Sequence, residues 1–559
     1  MVASTDIAVG NDLRLRVRGL NVSFRRNDDP PTQVVKDVGF DLQRGECIAL
    51  VGESGSGKSV TARTLLGLAG ENSIVQAEAL ELDDETLINR SDAWWRGVRG
   101  SKVGFILQDA LVSLDPLRPV GKEIAEAVAL HRSMARSARR AAVVELLERV
   151  GVPEPEIRAK QRPGELSGGL RQRALIASAI ALDPGIVIAD EPTTALDVTV
   201  QAQVLAVLEQ MIAGGTSVIL ISHDLAVVSR VADRVLVMKG GEIVEAGETE
   251  QILRAPQHAY TRQLIDAVPS EHTKGTRLSH EGRVAAAELF PDRAAPDVQG
   301  DVPLLEARGV TKSFRGPDKV RRTVVNEVSF QLKHGETLGI VGESGSGKST
   351  LARIALCLET PDQGEVTFKG KPWSAAPPGV RRSIRRRIAV VYQDPLSSFD
   401  PRWRISRILT DAIRLGDPAN AGRARERAVE LLEAVGLGRV HLDAWPLRMS
   451  GGQRQRVAIA RALATNPEVI VLDEAVSVLD VSVQAQILDI LADLQQQLGV
   501  SYLFISHDLG VIHHISDRVL VMQNGLAVEQ GDADAIFSNP REPYTRKLLE
   551  SLPRLELRV

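Results

Sequence analysis

Two copies of one glycine-rich sequence are the part of this chain best suited to chemistry. GESGSGKS occurs at Gly52–Ser59 and again at Gly342–Ser349. An apolar stretch precedes each copy and a helical pattern follows it, so each copy is predicted to be a loop between a strand and a helix. Glycines allow successive backbone N–H groups to surround an anion, and the helix N-terminus adds positive potential. The pattern GxxxxGK[ST] in this context predicts two sites for the phosphates of a nucleotide.

The lysine and serine that end each copy have separate predicted roles. Lys58 and Lys348 can reach the β- and γ-phosphates, and the hydroxyls of Ser59 and Ser349 suit Mg²⁺, a hard cation that prefers oxygen ligands. A nucleotide with Mg²⁺ is therefore the expected ligand of each loop. The residues predicted to line the phosphates are Gly52, Ser54, Gly55, Gly57, Lys58, Ser59 and Val60 in the first copy and Gly342, Ser344, Gly345, Gly347, Lys348, Ser349 and Thr350 in the second.

Acidic pairs and histidines follow apolar strands downstream of each loop. Asp190–Glu191 ends IVIADE, Asp473–Glu474 ends VIVLDE, and ISHD follows a further strand in each half. Carboxylates at the carboxyl end of a parallel strand point into the ligand crevice. The aspartate suits Mg²⁺ or its water, the glutamate can orient or deprotonate the attacking water, and the histidine can hydrogen-bond the γ-phosphate. The predicted catalytic residues are Glu191, Glu474, His223 and His507.

The second half of the chain repeats the first. Matched sequences follow the loops in the same order: LQDALVSLDP and YQDPLSSFDP, LSGGLRQR and MSGGQRQR, VIADE and VLDE, ISHDL twice, and HAYTRQL and EPYTRKL. Helical patterns before the SGG sequences predict a helical subdomain, and continuous apolar runs predict parallel strands covered on both faces. A polar stretch with Gly and Pro separates the halves. We predict domains at residues 1–269 and 303–559, each with its own C-terminal tail, joined by a linker at 270–302.

Composition restricts the remaining possibilities. The 559 residues are 43% apolar and 25% charged, which is typical of a soluble globular protein. A formal net charge of −4 gives no overall positive field for nucleic acid, and the run RRSIRRRI is expected to be a solvated face. No membrane-spanning run or signal peptide is recognisable, so the chain is expected in the cytosol. Cys47 and Cys357 stand among apolar residues and are expected to be buried thiols rather than ligands of a structural metal.

Both halves resemble the nucleotide-binding domain of ABC ATPases. Each half contains, in this order, the glycine-rich loop, the QD segment, the SGG sequence, the DE pair and SHD. The resemblance implies an α/β fold of two tandem P-loop domains, each with a RecA-like core, an antiparallel β subdomain and a helical subdomain. It implies that Gln108 and Gln393 contact Mg²⁺ or its water and report the nucleotide state to a membrane partner. It also implies that Phe24 and Phe314 stack on adenine. The implied cofactor is ATP with Mg²⁺, and the implied Mg²⁺ contacts are Ser59, Gln108, Asp190, Ser349, Gln393 and Asp473.

The resemblance further implies composite sites, because members of the family work as head-to-tail sandwiches. The signature of one half would then close over the phosphates bound by the other, through serine hydroxyl and glycine N–H donors. Asp197 and Asp480 match the D-loop that crosses this interface. The closing residues would be Ser450, Gly451 and Gly452 for the site of Lys58, and Ser167, Gly168 and Gly169 for the site of Lys348.

The sequence departs from the family pattern in ways that distinguish the two halves. Leu170 replaces the usual signature glutamine, Met449 replaces a leucine, and EAVSVLD stands where the first half has EPTTALD. Both predicted catalytic glutamates are kept. We therefore expect two hydrolysis-competent sites, and whether they contribute equally stays open.

The QDP…DP segments and the PYT-type tails resemble the dipeptide, oligopeptide and nickel importer branch. The implied partners are two transmembrane permease subunits and an extracytoplasmic solute-binding protein. The chain would be peripheral on the cytoplasmic face of the inner membrane and touch the membrane only through the permeases. Dipeptides or oligopeptides are the first expected cargo, and glutathione, nickel, haem-like or opine-like solutes stay open. A soluble twin ATPase of translation or DNA repair is the alternative class, disfavoured by the short linker and the scarcity of cysteine; no nucleic-acid partner is expected.

Overall fold

Two compact units make up the protein. The computed structural model describes residues 12–25, 30–108, 110–194, 196–269, 274–286, 302–316, 319–416 and 422–552. One unit reaches to Ile265 and the other runs from Asp266 to Leu552. Both are mixed α/β units with matching strand topology, which confirms the predicted fold class. Within the described ranges, no helix combines the length and the apolar character needed to cross a bilayer.

The first unit is built on two sheets. A six-stranded sheet has the order β11-β10-β3-β9-β8-β7 and is parallel except for the pairing of β10 with β11. An antiparallel sheet has the order β2-β1-β5-β6, with β4 also paired to β1. The strands are β1 (Leu13–Phe24), β2 (Thr32–Gln43), β3 (Cys47–Val51), β4 (Ser73–Gln76), β5 (Ala79–Leu82), β6 (Glu85–Thr86), β7 (Val103–Ile106), β8 (Ile186–Asp190), β9 (Ser217–Ile221), β10 (Arg234–Lys239) and β11 (Glu242–Glu248).

Three buried, neighbouring strands bring the candidate site residues of this unit together at one edge of the sheet. Every residue of β3, β8 and β9 is buried, as expected of parallel strands covered on both faces. Because β3, β9 and β8 are neighbours, the segments that follow them meet at one edge of the sheet. The helices of this unit are α1 (Lys58–Thr64), α2 (Asp92–Val98), α3 (Ala110–Ser113), α4 (Val120–His131), α5 (Arg136–Arg149), α6 (Pro155–Arg158), α7 (Gly168–Ala179), α8 (Val198–Ala213), α9 (Leu225–Val231), α10 (Thr249–Arg254) and α11 (Ala259–Asp266).

The second unit repeats this arrangement. Its six-stranded sheet has the order β17-β18-β19-β14-β20-β21, and its antiparallel sheet has the order β13-β12-β15-β16. The strands are β12 (Leu305–Arg315), β13 (Arg321–Leu332), β14 (Thr337–Val341), β15 (Gln363–Phe368), β16 (Lys371–Pro372), β17 (Ile388–Tyr392), β18 (Val469–Asp473), β19 (Ser501–Ile505), β20 (Arg518–Gln523) and β21 (Leu526–Asp532). The helices are α12 (Lys348–Ala355), α13 (Pro378–Arg385), α14 (Ile405–Gly416), α15 (Ala424–Glu433), α16 (Gly451–Leu463), α17 (Val481–Leu498), α18 (Leu509–Ile515), α19 (Ala533–Ser538) and α20 (Pro543–Glu550).

Part of the predicted linker packs on the second unit. Two buried carboxylates of α17 hold it: Asp489 accepts from the main-chain N–H groups of Leu278 and Ser279, and Asp493 pairs with Arg277 at 3.0 Å. Aligning the residues that cap α8 and α17 places Ala206 and Gln210 of α8 at the positions of these carboxylates. At these positions the first unit therefore lacks the carboxylates that fix residues 274–286 in the second.

Candidate nucleotide sites

The glycine-rich loops lie between a buried strand and a helix in both units. Gly52 and Gly342 have φ of 145° and 150°, and a Cβ on either would lie 2.2 Å from the carbonyl oxygen of Met238 or Met522. A side chain at these positions would therefore displace the loop. The glycine before each helix has φ of 102°, no side chain caps α1 or α12, and neither first turn carries an acidic residue. The N–H groups at both helix starts are thus suited to an anion.

The lysine of each loop hydrogen-bonds to the first two residues of the same loop. Lys58 is buried, and its Nζ donates to the carbonyl oxygens of Gly52 and Glu53 at 2.6 and 2.8 Å. Lys348 makes the same two bonds in the second loop at 2.7 and 2.9 Å. The ammonium groups therefore lie inside the cradle that the phosphates would enter. The remaining predicted phosphate-lining residues occupy the same loops and first helical turns: Ser54, Gly55, Gly57, Ser59 and Val60, and Ser344, Gly345, Gly347, Ser349 and Thr350.

A serine hydroxyl and an aspartate meet next to each loop. Ser59 Oγ donates to Asp190 Oδ1 at 3.0 Å, and Ser349 Oγ donates to Asp473 Oδ1 at 3.3 Å. Burial and the neighbouring glutamate raise the pKa of both aspartates, although the serine hydrogen bonds oppose this. A serine oxygen and an aspartate oxygen thus lie close together at each loop, and burial disfavours the charged form of the aspartate. A hard divalent cation binds such oxygen ligands and would offset the charge. The residues present therefore fit Mg²⁺.

Polar side chains surround the carboxylate of Glu191. His223 Nδ1 lies 3.3 Å from its Oε1, and its Oε2 accepts from Gln108 Nε2 at 2.6 Å and from Thr194 Oγ1 at 3.1 Å. Burial alone would raise the pKa of Glu191, but the bonds from His223 and Thr194 and the charges of His223 and Lys58 bring it below its ordinary value. The predicted catalytic glutamate and histidine of the first half are thus in contact.

The second half brings the corresponding glutamate and histidine together with fewer donors. His507 Nδ1 lies 3.6 Å from Glu474 Oε2, and this interaction, ahead of the opposing effect of burial, lowers the pKa of Glu474. Gln393 Nε2 bonds to Ser477 Oγ at 3.3 Å, and that hydroxyl donates to the main-chain oxygen of Glu474 at 3.0 Å. Both glutamates have positive φ, 49° for Glu191 and 51° for Glu474, a costly conformation that clusters at functional sites.

The signature serines cap their helices, and the sequence departures change how they do so. Ser450 Oγ accepts from the N–H of Gln453 at 3.2 Å, and the Gln453 side chain accepts in return from the N–H of Ser450 at 3.1 Å. In the first half Ser167 Oγ accepts from the N–H of Leu170 at 3.4 Å, and leucine has no acceptor to return. The start of α7 therefore has half of the reciprocal capping that α16 has.

One glycine of each signature is required by packing. A Cβ on Gly169 would lie 2.3 Å from Val200, and a Cβ on Gly452 would lie 2.3 Å from Val483. These contacts are where α7 meets α8 and α16 meets α17. Gly168 has no atom within 4 Å of such a Cβ, and Gly451 has its nearest at 3.6 Å. The predicted D-loop residues Asp197 and Asp480 cap α8 and α17.

The predicted adenine-stacking aromatics differ in exposure. Phe24 ends β1 and packs partly against the core of the first unit. Phe314 is 40% exposed, and Lys312 Nζ lies 5.4 Å from its ring centroid. An exposed ring beside a cation is available for stacking, whereas Phe24 has part of its surface engaged.

The sequence did not single out the tail tyrosines as site residues, but the structure places them on the loops. The hydroxyl oxygen of Tyr260 accepts from the N–H of Glu53 at 2.9 Å, and that of Tyr544 accepts from the N–H of Glu343 at 3.2 Å. The repeated tails, HAYTRQL and EPYTRKL, carried the signal, because a tyrosine stands at the same place in both.

The cysteines have no part in the site. Burial raises the pKa of Cys47, and it raises the pKa of Cys357 to about 12. Cys47 is buried, as predicted, and Cys357 is partly buried. Among the described residues, no group of three or more His, Cys, Asp or Glu side chains is arranged to hold a metal by itself.

Two family models each match both halves of this chain. The family model for the ABC transporter matches residues 35–194 and 325–477. The model for the C-terminal region of the oligopeptide/dipeptide transporter matches residues 244–292 and 528–558. The solved ATP-binding cassette MJ0796, in a dimeric post-hydrolysis state with ADP and Pi, is 29% identical and aligns with 41% of this chain and 98% of its own, with a TM-score of 0.38.

Two relatives that match nearly the whole chain are glutathione import ATP-binding proteins. The Glutathione import ATP-binding protein GsiA of Escherichia coli (strain K12) is 44% identical over 578 residues, which cover 100% of this chain and 92% of the relative. That of Salmonella typhimurium (strain LT2) is 44% identical over 560 residues, which cover 96% and 89%. The chain therefore belongs to the ABC transporter ATPases, as a fused two-domain ATP-binding protein of the oligopeptide/dipeptide transporter branch.

Proposed function

We propose that this chain hydrolyses ATP at two sites to drive uptake of a small peptide, with glutathione as the first candidate cargo. One observation carries the proposal: the similarity to glutathione import ATP-binding proteins spans the whole chain at 44% identity, both tails included. Glutathione is a tripeptide, and the sequence left it open as an alternative to the dipeptides or oligopeptides that were the first expected cargo. Dipeptides, longer peptides and nickel are the competing cargoes.

Each half carries the groups that ATP hydrolysis needs. In the first half Lys58 and the N–H groups at the start of α1 would hold the phosphates, and Ser59 and Asp190 would hold Mg²⁺. Mg²⁺, when bound, would neutralise charge between the β- and γ-phosphates. Glu191 would orient the attacking water and accept its proton, and His223 would donate to the γ-phosphate. The equivalent residues of the second half would act in the same way.

Each site is inferred to take its signature from the other half. The support is the family resemblance together with the helix-capping position of Ser167 and Ser450, which presents a serine and following N–H groups at a helix start. In a Glu474→Gln chain, turnover depends on Glu191. A Ser450→Arg change should then abolish that turnover and Ser167→Arg should spare it; the opposite pattern would show that each half uses its own signature.

The partners are proposed to be two permease subunits and an extracytoplasmic solute-binding protein, with this chain at the cytoplasmic face of the membrane. Purification of the tagged chain from detergent-solubilised membranes tests this. Co-purification of permeases supports transport. Co-purification of ribosomes would instead support the soluble twin-ATPase class.

Uptake by whole cells tests the cargo. A strain that lacks this chain should fail to accumulate labelled glutathione, and the wild-type chain should restore uptake. The matched control is the chain with Glu191→Gln and Glu474→Gln, which should assemble but not restore uptake. Normal glutathione uptake in the deletion strain, with loss of dipeptide or nickel uptake, would reassign the cargo.

A further inference from the structure

The C-terminal tail of each half returns to the phosphate loop of the same half. Tyr260 of α11 is 3% exposed, and its hydroxyl oxygen lies 2.9 Å from the main-chain nitrogen of Glu53, the second residue of the loop. The hydroxyl oxygen of Tyr544, on α20, lies 3.2 Å from the main-chain nitrogen of Glu343. Two copies of the tail, separated along the chain, make the same contact.

This contact fixes a residue that the loop lysine also holds. The main-chain N–H of Glu53 donates to the hydroxyl oxygen of Tyr260, and the carbonyl oxygen of Glu53 accepts from Lys58 Nζ at 2.8 Å. Glu343 stands in the same way between Tyr544 and Lys348, the latter at 2.9 Å. Because the N–H of this residue is taken by the tyrosine, the loop begins in one conformation, and the N–H groups that follow are aimed at the phosphates.

The tail is itself anchored before it reaches the loop. The Glu245 carboxylate, on β11, accepts from the main-chain N–H groups of Gln257 and His258 at 2.7 and 3.1 Å. Glu529, on β21, makes the corresponding pair of bonds at 2.8 and 3.3 Å. A strand of the core thus sets where the tyrosine-bearing helix begins, which makes the approach of the hydroxyl to the loop a property of the fold.

We propose that Tyr260 and Tyr544 are positioning residues for ATP: each tail pre-sets the phosphate loop of its own half through the tyrosine hydroxyl. A pre-set loop binds nucleotide more tightly because less ordering remains to be done on binding. The C-terminal region of each half then tunes the affinity of one ATP site, and any change that moves a tail changes nucleotide affinity in that half.

The test measures the affinity of one site at a time in the full-length chain. Lys348→Ala leaves the first site to be titrated with adenylyl imidodiphosphate and Mg²⁺. Tyr260→Phe in this background should raise Kd about threefold to tenfold, since the hydrogen bond from the Glu53 N–H to the tyrosine hydroxyl is lost. Tyr544→Phe in the same background should leave Kd unchanged. In a Lys58→Ala background the two outcomes should exchange.

A matched tyrosine separates positioning from general stability. Tyr502 is fully buried in β19, and its hydroxyl donates to the carbonyl oxygen of Leu491 at 2.9 Å, away from the loop. Tyr502→Phe in the Lys58→Ala background should lower the thermal midpoint yet leave Kd unchanged. Hydrogen exchange gives a second readout: the Glu53 amide should exchange faster in Tyr260→Phe than in the wild-type chain.

Two results would overturn the proposal. One is a Kd for Tyr260→Phe within twofold of the parent Lys348→Ala chain, together with unchanged exchange at Glu53. The other is a rise in Kd for Tyr502→Phe as large as that for Tyr544→Phe, which would make the effect one of stability.

Discussion

Turnover at the two sites should be unequal, because the structure holds the two candidate catalytic glutamates differently. The Glu191 carboxylate accepts from Gln108 at 2.6 Å and from Thr194 at 3.1 Å. In the second half the corresponding amide and hydroxyl bond to each other and to a main-chain oxygen. Within the described residues, the polar side chain in contact with the Glu474 carboxylate is His507. Two donors therefore compete with the attacking water for Oε2 of Glu191.

The size of the difference follows from those two hydrogen bonds. A typical hydrogen bond contributes a net ~0.5–1.5 kcal/mol, and these two lie at a partly exposed site where water can replace the donors. We take about 1 kcal/mol for the pair, which corresponds to about a fivefold difference in rate. If the sites turn over independently, the second site then supplies roughly five sixths of the total.

The assay is the initial rate of phosphate release at saturating ATP by the full-length chain. Glu474→Gln should retain about one sixth of the wild-type rate and Glu191→Gln about five sixths, as worked from the fivefold difference. The double variant should fall at least ~100-fold, the usual contribution of a positioned base. Thr194→Ala added to Glu474→Gln should raise the residual rate, because one competing donor is removed.

Two outcomes would refute this reasoning. An unchanged rate in Glu474→Gln would show that the second site is not catalytic. A larger loss in Glu191→Gln than in Glu474→Gln would show that the donors around Glu191 assist catalysis rather than restrain it.

Three further predictions concern packing, pH and the segment between the halves. Gly169→Ala should destabilise the first unit by ~1–3 kcal/mol, since its methyl group would overlap a valine of α8, whereas Gly168→Ala should not lower the thermal midpoint. Burial lowers the pKa of His223, but its hydrogen bond and charge interaction with Glu191 raise it more, while the pKa of Glu191 is lowered. The pair should therefore stabilise the fold fully between about pH 4.5 and 6.5 and lose this effect on either side, so urea midpoints of wild type and His223→Gln should converge as the pH rises past the raised pKa of His223. Asp493→Asn removes the charge that pairs with Arg277 and should speed hydrogen exchange over residues 274–286, while a chain in which those residues stay equally protected would show that this ion pair does not hold them.

Local sequence patterns predicted most of the fold and of the candidate site. An apolar run precedes each loop, each DE pair and each SHD sequence. In the first half these runs form β3, β8 and β9, and the second half has their counterparts, because a continuous apolar run is stable as a strand covered on both faces. The serine–aspartate and glutamate–histidine contacts followed, because neighbouring parallel strands end at one edge of the sheet. The domain limits and the role of each site residue stay predictions.

The sequence alone determined the set of groups at each site. Residue types and their spacing indicate which backbone segment can surround a phosphate and which oxygens suit a hard cation. Tertiary structure decided how those groups are held. The bond from Gln108 to Glu191, the return of Tyr260 to the loop and the docking of residues 277–286 on α17 join residues 83, 207 and about 210 positions apart. Contacts at such separations depend on where whole strands and helices pack, and no local periodicity carries that information.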